Sequence, residues 1–386
     1  MFIEATLKNN PMLIDVAARF HKAGLIEPNT YLIDLDMVRE NAELIFKVGK
    51  KHGVNLYFMT KQFGRNSVVS KAVIEAGIDK AVAVDMDEAR MLFSHEIKIG
   101  HLGHLVQIPK ANIKEALSMK PEVITCFSED KVRELSDAAR ELGMVQDVLL
   151  RVVDDNDYIY PGQGGGIRLD VLEGLVRKIK KLDNVNVTGV TSFPCFLYNE
   201  ESGGIEPTNN LYTLTKAAGL LKNLGFEITQ INGPSATCVS SIPMLKKMGV
   251  THGEPGHAIT GTTPLHAKGF EPEGPSIVYV TEVSHLNSNK AYVFGGGFYP
   301  RSRMKKAYIP GKKLLLDVEE LPAESIDYYS TVLTDGHDLH TGDTVIYSFR
   351  TQIFVTRSKV AVVEGIHRGN PKLLGIFNSL GDEMTK

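Results

Sequence analysis

The sequence predicts an α/β chain built as a (β/α)8 barrel of the TIM type, followed by a second, all-β domain. Three observations carry that expectation. Eight short apolar runs alternate with segments of helical period from Asn55 onward. The pattern then changes after Gly261 to short runs separated by turn-rich clusters. The length, 386 residues, suits one large domain plus a small one.

The strand candidates are Asn55 to Thr60, Lys80 to Val84, Ile99 to Val106, Val123 to Cys126, Asp147 to Val153, Val187 to Phe193, Glu227 to Ile231 and Val250 to Gly253. They are short, often β-branched and apolar at consecutive positions, as strands buried on both faces are. The third is the weakest, because Gly100 and Gly103 interrupt it. Between strands, Val132, Leu135, Ala139 and Leu142 share one helical face, with Ser128 placed to cap and Gly143 to terminate. Leu172, Leu175, Val176 and Ile179 repeat that pattern in the next helix. Strand and helix repeated eight times close a barrel; an open doubly wound sheet is the alternative that this count disfavours. SIVYVTEVSHL, NKAYVFGG, KKLLLDVE, DTVIYSF and KVAVVEG then read as strands of an all-β domain. The expected boundary gives a barrel domain over 1–264 and a β-domain over 265–386, with residues 1–30 as an extension that can pack on the β-domain.

Composition narrows the function. Hydrophobic residues make up 43% and charged residues 23%, so disordered and fibrous classes drop out. A net charge of −3 without a long basic run argues against a nucleic-acid partner. No segment approaches the roughly 20 apolar residues that span a bilayer. The N-terminus lacks the pattern of a signal peptide, and the three cysteines Cys126, Cys195 and Cys238 form no CxxC. A cytoplasmic protein is the expectation.

Barrels place their chemistry at the C-terminal ends of the strands. Those positions carry Lys61, Asp85, Arg151, Ser192 with Phe193, the run Gly233-Pro-Ser-Ala-Thr237, and Glu254. A lysine at the mouth of the first strand can join a carbonyl cofactor as a Schiff base, or it can be solvated or salt-bridged. The Gly233–Thr237 run, leading into a helix expected from Cys238 to Met248, is either a plain turn and cap or an anion site. Gly256 and His257 stand beside it as further candidates. Pro161-Gly-Gln-Gly-Gly-Gly166 reads as a mobile loop over the barrel mouth.

The order of motifs adds a resemblance. TYLIDLDMVRENAE, then Lys61-Gln-Phe-Gly-Arg-Asn, then VAVDMDEARML resemble the opening third of the alanine racemase family. GVTSFPCF resembles its sixth-strand segment, ITQINGPSAT its phosphate-binding turn, and GEPGHAITGTTP its eighth-strand segment. Within that family the chain looks most like the YhfX-like branch, a resemblance that supplies no reaction.

The resemblance implies pyridoxal 5'-phosphate (PLP) as cofactor, held by Lys61 as a Schiff base. It implies a homodimer with shared active sites and a small-molecule amino-acid substrate. The implied cofactor-binding set is Lys61, Arg151, Ser192, Gly233, Ser235, Ala236, Thr237, Glu254, Gly256 and His257. Glu254 departs from the racemases, which carry an arginine there; the segment Glu-Pro-Gly-His looks more like the motif of related PLP decarboxylases. A carboxylate beside the pyridine nitrogen favours its protonated form, a stronger electron sink. Gly295-Gly-Gly-Phe-Tyr-Pro-Arg301 resembles a segment whose first tyrosine is a racemisation base, and that position is Gly295 here. Tyr299 is the candidate substitute as a catalytic residue, and Arg350 the candidate for a substrate carboxylate.

The leading expectation is a PLP-dependent amino-acid racemase or epimerase. A decarboxylase or lyase of the same fold is the alternative, although such decarboxylases carry a Cys-Asp pair in the β-domain and all three cysteines here precede it. A non-catalytic PLP carrier is the third reading. No metal is expected: His101 and His104, three apart in a strand, should point to opposite faces, and His337 and His340 lack supporting ligands.

Overall fold

The computed structural model describes every residue except Phe270, Pro300, Arg301, Arg303, Leu321, Ala323, Thr385 and Lys386. The chain divides into two compact units. One comprises Met1–Glu43, Thr60–Ala76 and Gly256–Lys386; the other comprises Leu44–Met59 and Gly77–Pro255.

The second unit holds the barrel. Its strands are β2 (Asn55–Leu56), β3 (Phe58–Met59), β4 (Ala81–Ala83), β5 (Ile99–Leu102), β6 (Val123–Cys126), β7 (Gln146–Val153), β9 (Val185–Thr191), β12 (Gln230–Asn232) and β13 (His252–Gly253), numbered after β1 (Thr30–Asp34) of the other unit. They pair in the order β2-β13-β12-β9-β7-β6-β5-β4-β3, in parallel throughout. Because β2 and β3 are successive parts of one extended stretch, the sheet closes on itself at Tyr57. All eight expected strands are present. A short strand β8 (Ile167–Arg168) adds to β7, and β10 (Phe196–Asn199) with β11 (Gly204–Pro207) forms a separate hairpin.

The glycines that blurred the third strand have structural reasons. A Cβ on Gly100 would stand 2.3 Å from the Tyr57 ring, so glycine there makes room for a buried aromatic. Gly103 takes φ +78° and ends the strand at Leu102. The helix over Glu129–Glu141 buries Val132, Leu135 and Ala139, is capped by Ser128 accepting from the Lys131 N–H at 3.3 Å, and ends before Gly143 at φ +64°.

In the first unit, β14 (Ile277–Asn287), β15 (Lys290–Phe294), β16 (Lys306–Ile309), β17 (Leu314–Asp317), β18 (Tyr329–Leu333), β19 (Thr344–Tyr347), β20 (Lys359–Glu364) and β21 (Lys372–Asn378) form the C-terminal sheet. Its order is β17-β16-β19-β14-β1-β20-β21, with β15 bridging β14 and β18. Thus β1 from the start of the chain lies inside this sheet, antiparallel to β14 and parallel to β20. The helices α1 (Phe2–Asn9) and α2 (Pro11–Lys22) cover one face of that sheet. Ile3, Leu13, Ile14, Ala17 and Phe20 pack against Val278, Val280, Ile346, Ala361 and Val363. Burying each such large side chain contributes about 1.5–3 kcal/mol. Aromatic residues Tyr31, Tyr279, Tyr347 and Phe349 cluster elsewhere in the unit, with Tyr31 and Tyr279 ring centroids 5.1 Å apart. No helix among the described residues is long and apolar enough to cross a membrane.

Candidate active site

The barrel register places polar residues in one row. Arg151 on β7 is level with Thr191 on β9, Thr191 with Asn232 on β12, and Asn232 with His252 on β13. Level residues of a parallel sheet point to the same side, and Asn232 shows which side: its amide donates to Oε1 of Glu254 at 2.9 Å. Arg151, Thr191, Asn232 and Glu254 are all buried. Each keeps an atom without a hydrogen-bond partner: Nε and Nη1 of Arg151, Oγ1 of Thr191, Oδ1 of Asn232 and Oε2 of Glu254. An unmet buried group costs about 1–3 kcal/mol, more when charged. Four such groups on the C-terminal side of a barrel point to a ligand rather than to a satisfied core.

Glu254 is the centre of this arrangement. His101 Nδ1 lies 2.6 Å from its Oε1, and His104 Nε2 lies 3.6 Å from its Oε2. The far nitrogen of His101, Nε2, is hydrogen-bonded to the Thr125 hydroxyl. Burial alone would push the Glu254 carboxyl up; the charges of His104 and His101, with hydrogen bonds from His101 and Asn232, overcome it and hold the group well below the usual carboxylate range. The carboxylate is ionised.

This geometry corrects the expectation that His101 and His104 face opposite ways. That expectation required a strand continuing to Val106, but β5 stops at Leu102 and the left-handed Gly103 turns the chain. The two rings come to 5.1 Å, and ligand atoms of His101, His104 and Glu254 all lie within 4.8 Å of one another. The trio could meet a metal geometrically. Both nitrogens of His101 and Oε1 of Glu254, however, are already taken by hydrogen bonds. His337 and His340 belong to no such group among the described residues.

The turn after β12 also departs from the expectation. The helix placed at Cys238 to Met248 begins only at Ile242 and ends at Lys247, because Cys238–Ser241 form turns held by the Ser241 hydroxyl. The Gly233–Thr237 turn is therefore separated from the helix by Cys238–Ser241. What remains is the turn itself, with Ser235 at φ +107° and Ala236 at φ +53°. Ser235 donates its hydroxyl to the Phe196 carbonyl, and Thr237 Oγ1 accepts from the Glu254 N–H at 3.0 Å. Gly233 is required by packing, since a Cβ there would lie 2.8 Å from Val250.

Elsewhere in the barrel, Arg151 lays its guanidinium 4.6 Å from the Phe127 ring centroid and donates from Nη2 to the Gln163 carbonyl at 3.0 Å. The glycine-rich run is thereby tied to Arg151. Ser192 receives a 3.4 Å contact from Asn210, and Phe193 meets the His104 ring edge-on at 5.4 Å. Cys126, Cys195 and Cys238 are all buried thiols.

In the other unit, Lys61 opens a short 3-10 turn, Lys61–Phe63, directly after Thr60. Gly64 (φ +71°) and Arg65 (φ +54°) follow in the left-handed region. A Cβ on Gly64 would lie 2.9 Å from Ile353, and Arg65 sits over the Phe354 ring at 5.5 Å, so the turn is clamped and Lys61 stands on a fixed base. A Cβ on Gly256 would meet the Gln62 side chain at 2.7 Å. The ring nitrogens of His257 contact Thr262 at 3.0 Å and Gln352 at 3.2 Å. Arg350 donates from Nη1 to the Tyr299 phenol at 3.2 Å, which brings two of the expected residues together. Gly295 cannot carry a side chain: its Cβ would lie 2.2 Å from the Asp327 carbonyl oxygen. Pro300 and Arg301 of the same motif lie outside the described residues.

His101, His104, Thr125, Thr191 and Asn232 were absent from the expected site. Their signal was a polar residue at or beside the end of an apolar strand.

Residues 33–264 match the family model described as alanine racemase, N-terminal domain, and residues 278–373 match YhfX-like, C-terminal domain. A relative described as Uncharacterized protein YhfX, from Escherichia coli (strain K12), is 40% identical over 388 residues, spanning 100% of both chains. Among solved structures, alanine racemase of Clostridium difficile 630 superposes with a TM-score of 0.65 at 15% identity, over 92% of this chain and 99% of that one. D-threonine aldolase from Filomicrobium marinum gives 0.67 at 14% identity, over 92% and 95%. D-threo-3-hydroxyaspartate dehydratase from Delftia sp. HT23 gives 0.66 at 15%, over 92% and 98%. These structural likenesses speak for a shared fold alone. With more than half of its residues inside the first family model and a full-length relative at 40% identity, the chain belongs to the alanine racemase N-terminal domain family and carries a YhfX-like C-terminal domain.

Proposed function

We propose that the protein is a PLP-dependent enzyme acting at the α-carbon of an amino acid, with racemisation or epimerisation as its leading reaction. The observation that carries this reading is the buried Glu254, whose Oε2 lacks a hydrogen-bond partner in the row that includes Arg151, Thr191 and Asn232. A heteroaromatic ring with a cationic N–H and an anionic oxygen complements a carboxylate and a guanidinium presented in this way. The donor set therefore fits PLP.

When bound, PLP withdraws electrons from an amino acid joined to its carbonyl and so weakens the bonds to the α-carbon. Lys61 supplies the amine that attaches the cofactor, and the same Nζ, once released, takes or returns a proton at the α-carbon. Glu254 accepts from the ring nitrogen through Oε2. Arg151 supplies donors to the ring's oxygen, and Ser192 lines the same end of the barrel. The phosphate is assigned to the Gly233–Thr237 turn, through backbone N–H groups of Ser235, Ala236 and Thr237, together with Gly256 and His257. Since Ser235 already donates its hydroxyl to Phe196, backbone donors carry most of this assignment. Arg350 binds the substrate carboxylate and Tyr299 serves as the second acid/base. We take the working assembly to be a cytoplasmic homodimer.

A second reading, a decarboxylase or lyase, is favoured by one specific observation. The backbone at Gly295 excludes the tyrosine that the racemases use there. One screen separates the readings: holoprotein is mixed with an amino-acid panel in heavy water. Deuterium at the α-carbon with inversion supports racemisation; loss of carbon dioxide or ammonia supports the second reading. Absence of exchange and of carbon dioxide or ammonia release with every amino acid supports a PLP carrier.

A further inference from the structure

We propose that His101 and Thr125 are positioning residues for Glu254, forming a Thr125–His101–Glu254 chain that fixes Oε1 inward and leaves Oε2 as the acceptor for a cationic ring N–H. The inference rests on the PLP reading above and adds to it the device that sets the protonation of the cofactor ring.

The geometry supports it at each link. His101 and Thr125 lie on the adjacent strands β5 and β6, and both are fully buried. His101 uses both ring nitrogens, Nδ1 toward Glu254 and Nε2 toward Thr125, so its ring has no rotational freedom left. Oε1 of Glu254 accepts from His101 and from Asn232, which fixes the plane of the carboxylate. Oε2 has no hydrogen-bond partner; His104 Nε2, at 3.6 Å, is beyond hydrogen-bond length. With Oε1 accepting from two donors, Oε2, ion-paired to His104 at 3.6 Å, is the oxygen left to accept a further N–H. The carboxylate, which only accepts, keeps a proton on Nδ1, and the Thr125 hydroxyl holds the ring from the other side by meeting Nε2.

The same side chains could instead hold a divalent metal. Hydrogen bonds occupy both nitrogens of His101, so a metal would have to displace one of them, which is why the hydrogen-bonded chain is favoured.

The test uses the full-length protein reconstituted with PLP labelled with 15N in the ring, read by the ring-nitrogen chemical shift. Variants are Glu254→Gln, His101→Gln and Thr125→Val, the last keeping the imidazole and the strand shape should His101→Gln fail to fold. The wild type is expected to show a protonated ring nitrogen and Glu254→Gln an unprotonated one. His101→Gln should move toward the unprotonated position, and Thr125→Val in the same direction by less, while all bind one equivalent of PLP. If His101→Gln and Thr125→Val both keep the wild-type shift while Glu254→Gln loses it, the chain is overturned and the PLP reading stands. If the wild type takes up no PLP, the PLP reading itself fails and takes this inference with it. If the wild type binds one equivalent of zinc chloride that His101→Gln does not bind, the trio is a metal site and the positioning role is wrong.

Discussion

Arg350 and Tyr299 stand 51 residues apart in the chain, yet the Arg350 guanidinium donates to the Tyr299 phenol at 3.2 Å. That bond orients the phenol, and a guanidinium has further donors to offer a carboxylate. Tyr299→Phe should therefore cut α-proton exchange by roughly 100-fold or more, about 3 kcal/mol in the barrier, with PLP binding unchanged. Arg350→Ala should raise KM by roughly 10- to 100-fold, the loss of one charge-assisted hydrogen bond of about 1.5–3 kcal/mol. Exchange measured in heavy water checks both. Wild-type rates in Tyr299→Phe would move the second acid/base to another residue.

Gly295 is set by close approach. The Asp327 carbonyl oxygen lies 2.2 Å from where a Cβ would be, and that oxygen belongs to the backbone. Gly295→Ala should lower stability by about 1–3 kcal/mol or more, because backbone must shift to admit one methyl. Gly295→Tyr should not restore a racemase-like base; it should unfold the segment. Urea denaturation followed by circular dichroism reads the cost, and an unchanged midpoint for Gly295→Ala would show that this backbone yields.

Much of the barrel was legible because its strands are buried on both faces and announce themselves as apolar runs. β1 was not, although Thr30 and Ile33 are β-branched and Tyr31 and Leu32 between them are large and hydrophobic. Its partners β14 and β20 lie more than 240 residues away, and no local pattern carries such a pairing. The buried polar residues Arg151 and Glu254 of the barrel unit could be read from the strand positions. The His101–His104 contact could not, because it turns on one dihedral angle at Gly103, which the sequence presents only as a glycine. The start of the helix expected at Cys238 was missed in the same way: those residues suit a helix, yet the Ser241 hydroxyl binds the Cys238 N–H and the Ala236 carbonyl and holds the chain in turns until Ile242.

Burial pushes His252 down to about 4 and His266 down to about 3. In the unfolded chain both titrate near 6.5. Below that pH the unfolded state binds protons that the folded state refuses, so stability is full above about pH 6.5 and falls as pH drops. The slope is up to about 1.4 kcal/mol per pH unit for each histidine, until pH reaches the folded values. Thermal midpoints between pH 7.5 and 4.5 should decline accordingly, and His266→Gln should flatten the slope by one proton. A midpoint insensitive to pH over that window would contradict the buried neutral state of both rings.

Borohydride reduction of the holoprotein followed by peptide mass spectrometry tests directly whether Lys61 carries PLP. The account predicts a pyridoxyl group on the peptide containing Lys61, one per chain, with no label and no visible cofactor absorbance retained in Lys61→Ala. A label on another lysine, or none at all in a wild-type protein saturated with PLP, would contradict it.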